Sequence, residues 1–114
     1  MPAFNIMLPV LPGKEDDLRK FAEEALGSHR HHYEAAQKAM STPRETWTIQ
    51  ETPAGRFMLV WFEADDIEAC FEHMATATGE DVDWFRGRIK DVTGIDMTEP
   101  ADGPLPEVIL EWSA

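Results

Sequence analysis

The ten residues Gly55–Ala64, GRFMLVWFEA, constrain this chain more than any other stretch. Successive side chains of a strand point to opposite faces. Phe57, Leu59 and Trp61 therefore point one way and Met58, Val60 and Phe62 the other, so a strand built from them needs shelter on both faces. At roughly 25 cal/mol per Å² of apolar surface, leaving three such side chains wet forfeits several kcal/mol, comparable with the whole stability of a small domain.

The rest of the sequence arranges itself around that strand. RETWTIQE precedes it across Thr52-Pro53-Ala54-Gly55, and two β-prone runs joined by such a turn read as a hairpin. Near the N-terminus, AFNIMLPV alternates with Phe4, Ile6, Leu8 and Val10 on one side, the period of a half-buried strand. Pro12-Gly13 breaks the chain, and Glu15, Asp16 and Asp17 place negative charge where a helix N-terminus favours it. Apolar residues at three- and four-residue spacing from Leu18 to Met40 predict one long amphipathic helix to about Ser41, with Gly27 its weak point and Pro43 its stop. After the hairpin, Asp65 or Asp66 caps a helix whose stripe is Ile67, Cys70, Phe71 and Met74. Val82, Phe85, Ile89 and Val92 share the face of another, with Gly94 as its left-handed cap. EVILEW, Glu107–Trp112, alternates as a final strand.

The expected fold is thus a single α+β domain over residues 1–114, a ferredoxin-like βαββαβ unit with an extra short helix before the last strand and a four-stranded antiparallel sheet. Its helices cover one face of the sheet only. The simplest cover for the other is a second copy of the chain, two sheets meeting across a two-fold axis.

Charge narrows the partners. Ten Lys and Arg stand against 22 Asp and Glu, a net −12 that repels a nucleic-acid backbone and an anionic bilayer alike. No apolar run approaches the roughly 20 residues of a membrane helix, no basic leader precedes the N-terminal apolar residues, and the single Cys70 suits a reducing compartment. A cytoplasmic protein is expected, with neither nucleic acid nor membrane as partner.

With this element order and a doubly apolar central strand, the chain resembles the dimeric α+β barrel superfamily, which holds antibiotic-biosynthesis-type and haem-degrading monooxygenases. VDWFRGRIKDVTGIDM and PLPEVILEW, Val82–Met97 and Pro104–Trp112, look like the C-terminal half of an uncharacterised bacterial family of such domains. The resemblance implies a homodimer with a pocket between sheet and helices; a shared fold does not imply a shared activity. Haem-degrading members carry an Asn on the first strand, a Trp on the third and a His on the following helix, an order matched by Asn5, Trp61 and His73. Cofactor-free members orient an electron-rich substrate in a dry pocket, a part open here to Asn5, Trp47, Trp61 and Tyr33.

GSHRHHYEAAQKAM, Gly27–Met40, raises the remaining question, since three of the four histidines fall within it. At about 100° per residue, His29 and His32 share the inward face with Ala22, Ala25, Tyr33 and Ala36, and His31 points outward. His29 and His32 stand close enough for one metal ion, but no third ligand accompanies them. An inward histidine hydrogen-bonded to a neighbouring backbone or carboxylate is the first reading of them, one lining a pocket the second, and a metal site the last. Ser28 and Ser41 lack a nucleophile elbow, no glycine-rich phosphate loop exists, and paired acids such as Asp16-Asp17 and Glu80-Asp81 sit at helix starts. Arg86, Arg88 and Lys90 read as a solvated face.

The expectation is a homodimer without cofactor or metal that binds a small apolar or aromatic molecule between the long helix and the sheet, lined by Asn5, His29, His32, Tyr33 and Trp61. The alternatives are a cofactor-independent monooxygenase or isomerase using that pocket, and a structural or regulatory dimer without a ligand.

Overall fold

A computed structural model describes residues 1–101 and 103–114. The protein is α+β, with strands β1 (Ala3–Pro9), β2 (Arg44–Thr52) and β3 (Gly55–Glu63) and helices α1 (Glu15–Ala25), α2 (Arg30–Ala39), α3 (Ile67–Thr76) and α4 (Glu80–Thr93). The strands form one antiparallel sheet in the order β1-β3-β2, so the doubly apolar segment is central, as its composition demands.

The register sorts the two faces. Ile6 and Trp47 flank Val60, Leu8 and Ile49 flank Met58, and Phe4 and Glu45 flank Phe62. Residues directly opposite one another share a face, and this one lies under the helices. Met58 is fully buried, and Phe21 of α1, Cys70 and Met74 of α3, and Phe85, Ile89 and Val92 of α4 pack into the same core. The opposite face carries Asn5, Trp61 and Thr46 in one row, and Met7, Leu59 and Thr48 in the next. Among the described residues that face lies outside the core cluster: Met7 is 60% exposed, and Phe57, Leu59 and Trp61 are only partly buried.

Two expectations need correction. The sheet has three strands rather than four, because Glu107–Trp112 forms no ladder with it. Ile109, Leu110 and Trp112 are instead 89%, 80% and 79% exposed. Alternation specifies a strand only where an edge offers backbone partners, and this segment meets none in its own chain. The expected long helix is two. Glycine propagates a helix poorly, and the turn that replaces the helix here needs it, since a Cβ at position 27 would stand 2.9 Å from the carbonyl oxygen of Glu23. The His29 amide instead closes on the Glu24 carbonyl at 2.8 Å, and α2 restarts after it.

The later helices follow their end signals. Asp66 is the N-cap of α3, its Oδ1 accepting from the Ala69 amide at 3.1 Å. Gly94 closes α4 in the left-handed region at φ 76°, its amide donating to Lys90. Arg86, expected on a solvated face, turns inward instead: its guanidinium donates to the carbonyls of Met74 and Ala77 at 2.9 and 2.7 Å and satisfies the C-terminal end of α3. Among the described residues, no helix is long and apolar enough to cross a membrane.

Candidate functional site: a cleft between α2 and the edge of the sheet

β2 places Glu45, Trp47 and Ile49 on the helix-facing side, where alternation alone puts a carboxylate into an apolar row. α2 runs over the start of that row. Tyr33 donates its hydroxyl hydrogen to Glu45 Oε1 at 2.5 Å, and Gln37, one turn later, donates to the same oxygen at 2.9 Å. The Trp47 indole Nε1 is buried without a partner in hydrogen-bond geometry, yet lies near enough to favour the ionised Glu45. Trp47 also packs its ring on Phe21 at 4.8 Å and meets the Tyr33 ring edge-on at 5.8 Å, which fixes its plane.

These residues border a cleft of about 190 Å³ lined by Ala22, Ala25, Leu26, Tyr33, Glu45 and Trp47. The small alanines leave the room. A wider, more open hollow of about 420 Å³ adjoins it through Leu26, Tyr33 and Glu45 and extends to Arg44 and Thr46. A cavity of about 150 Å³ suffices for benzene, so the narrower cleft admits one aromatic ring. The apolar cavity deeper in the core, between Ile6, Val60, Phe62, Met74 and Phe85, measures about 60 Å³ and is too small for one.

Electrostatics single out the same pair. Burial raises the Glu45 carboxyl above its ordinary range, and hydrogen bonds from Tyr33, Trp47 and Gln37 only partly offset that. Burial first, then the Glu45 charge and hydrogen bond, push the Tyr33 phenol so far up that it keeps its proton throughout the range in which proteins stay folded. Tyr33 is thus a fixed donor, and its hydrogen bond and that of Gln37 both fall on Oε1 of Glu45. Burial likewise raises the Cys70 thiol, which lies 3.4 Å from the Met40 carbonyl, and this favours the unreactive protonated form.

Of the residues expected to line one pocket, the structure brings only Tyr33 to the cleft. His32 lies between α2 and α4, its side chain 18% exposed and its Nδ1 2.6 Å from Asp81 Oδ1. The His29 ring stacks on Trp84 at 5.0 Å with 4° between planes, and His31 is exposed. His32 thus meets α4 through a hydrogen bond to Asp81, whereas the His29 ring meets it by stacking on Trp84 and bonds its neighbour Ser28. Asn5 and Trp61 are cross-strand partners on the opposite face of the sheet, where the Arg44 guanidinium lies 5.2 Å over the Trp61 ring. His73 rides on α3, on the helix side, so Asn5, Trp61 and His73 do not converge. Among the described residues, no three His, Cys, Asp or Glu side chains are grouped to hold a metal ion. Sequence reasoning missed Glu45 and Gln37. The available signal was the alternation of RETWTIQE, which sets Glu45 on the parity of Trp47 and Ile49.

Compared with family models, with curated proteins and with solved structures, the chain finds no match.

Proposed function

We propose that the protein is a cytoplasmic homodimer that binds a small aromatic molecule carrying a hydrogen-bond donor, in the cleft between α2 and β2. The observation that carries this reading is the convergence of Tyr33 and Gln37 on one oxygen of a mostly buried carboxylate in the wall of a ring-sized apolar cleft. Few polar groups placed in an otherwise apolar concavity are what a small-molecule site requires. Here the ring would lie against Trp47 and Ala22, and its donor would meet Glu45. The two-copy state is supported by the uncovered row of Phe57, Leu59, Trp61 and Met7, which a second ferredoxin-like sheet would shelter.

Titration of the isotope-labelled protein with catechol and with indole, followed through the Trp47 indole N–H resonance, tests the binding reading. A saturable shift that Glu45→Ala abolishes is expected. Unmoved resonances with both probes at millimolar concentration would leave a dimer without a ligand.

A second reading has its own support. A carboxylate raised by burial is a stronger base than an exposed one, so Glu45 suits proton abstraction from a bound enediol or quinol, the first step of an isomerase or a cofactor-independent monooxygenase. Oxygen uptake or proton exchange with a quinol, lost in Glu45→Gln, would support it; equal rates in the two proteins would remove Glu45 from such chemistry.

A further inference from the structure

The C-terminal segment is the largest apolar feature that the fold leaves unused. Leu105, Val108, Ile109, Leu110 and Trp112 are all at least half exposed, at 52%, 51%, 89%, 80% and 79%. Isolated exposed apolar residues need no explanation, but a contiguous exposed group of them marks an interaction surface. The segment also alternates as a strand, with Val108, Leu110 and Trp112 on one side and Glu107, Ile109 and Glu111 on the other. A strand of this kind lacks only an edge.

The sheet offers two. β1 ends in Pro9 and follows Pro2, and proline supplies no N–H to a ladder. β2 is nine residues long without a proline, and its central stretch Thr46–Gln50 carries no charge. None of the backbone hydrogen bonds beyond the sheet's own ladder involves β2 among the described residues. Natural edges are blunted by charged residues, proline or a bulge, or are occupied; the charges of β2 sit toward its ends, at Arg44, Glu45 and Glu51, and its central stretch has no such device. Its first residue, Arg44, has no carboxylate within ion-pair distance among the described residues, and the segment carries carboxylates at Glu107 and Glu111. The segment leaves the fold on the other side of the sheet, because α4 ends beside Leu11, whose amide donates to the Val92 carbonyl at 2.9 Å just beyond β1.

We infer that the C-terminal arm of one copy adds as a fourth strand to the free β2 edge of a second copy, reciprocally, with Val108, Leu110 and Trp112 continuing the helix-facing row of Glu45, Trp47 and Ile49. The inference rests on the two-copy reading above and deepens it. Because that row borders the cleft, the partner's arm forms the outer wall of the ligand site, and each site is complete only in the pair. Main-chain hydrogen bonds then supply affinity and the alternate side chains specificity.

The test mixes isotope-labelled and unlabelled full-length protein and records isotope-filtered NOEs. Contacts between the amides of Thr46–Gln50 in one copy and the methyls of Val108 and Leu110 in the other are expected. In parallel, the double substitution Ile109→Asp, Leu110→Asp should raise the dimer dissociation constant by about thirtyfold or more and speed amide exchange at Thr46–Gln50. These side chains are exposed in the single chain, so its circular dichroism should not change. An unchanged dissociation constant in the variant would overturn the exchanged arm and leave the paired sheets standing. NOEs confined within one chain would overturn it in favour of closure onto its own edge. A wild-type chain that never pairs would remove both readings.

Discussion

Tyr33 donates its phenolic hydrogen to Glu45 Oε1 over 2.5 Å and so fastens the first half of α2 to the outermost strand of the sheet. Tyr33 is the only tyrosine in the chain, which makes the contact directly visible. An unfolded tyrosine ionises near pH 10, whereas the folded phenol is held well above that by burial and by Glu45. A raised folded value gives stability that is fully present below about pH 10 and is lost as the pH climbs toward the folded value. Absorbance at 295 nm should therefore show no phenolate step near pH 10 in the native protein and a normal step in urea. Tyr33→Phe should cost about 1–2 kcal/mol, measured by urea unfolding at pH 7.

Glu45 predicts an effect at the other end of the scale. Burial raises its folded value above the unfolded one, so its protonation favours the fold. The contribution is complete below about pH 4.3, the ordinary Glu range, and disappears as the pH rises through the raised folded value. Glu45→Gln keeps an oxygen for Tyr33 and Gln37 but cannot ionise. The stability of the variant relative to wild type should increase between pH 4 and pH 7, measured by urea unfolding at each pH. A constant difference would contradict the assignment.

Much of this architecture is legible in the sequence, and what is not has identifiable causes. Phe57–Phe62 announced a doubly apolar central strand, and the hairpin, Gly94 and the buried Cys70 followed from local chemistry. Periodicity carried the first long helix straight through Gly27, because the phase of the apolar residues survives the turn while the backbone cannot. The sequence leaves Trp61 free to share a pocket with Tyr33, because strand parity relative to the helices depends on the hairpin register, which no local signal specifies. Glu45 is only half legible for a related reason: alternation sets it on the parity of Trp47 and Ile49, but only the register shows that this parity points inward.

The helix ends give a paired prediction. Asp65 and Asp66 are adjacent candidates in the sequence, but only Asp66 accepts the Ala69 amide. Asp66→Ala should lower stability by about 1 kcal/mol and Asp65→Ala should leave it within about 0.5 kcal/mol, by thermal or urea unfolding.

Gly27→Ala and Gly94→Ala should both destabilise, for different reasons. At position 27 the added methyl meets the Glu23 carbonyl oxygen at 2.9 Å; at position 94 it enters the left-handed region and touches Leu11 at 3.4 Å. A loss of about 1–2 kcal/mol is expected for each, and urea midpoints check it.

Net charge sets the salt response of the proposed pair. Two copies each carrying −12 repel one another, so raising the salt concentration from about 0.05 to 0.5 M, which shortens the screening length severalfold, should tighten association. Weakening with salt would indicate a pairing held by ions rather than by apolar side chains.

Sedimentation equilibrium of the full chain beside Leu59→Asp tests the paired assembly most directly. Leu59 stands between Met7 and Thr48 in the centre of the uncovered sheet face, so its replacement spares the core and charges the proposed contact. The wild-type chain should sediment at twice 12.9 kDa and the variant, still folded, at 12.9 kDa. A wild-type particle of 12.9 kDa at every concentration would contradict the assembly and the site completed by it.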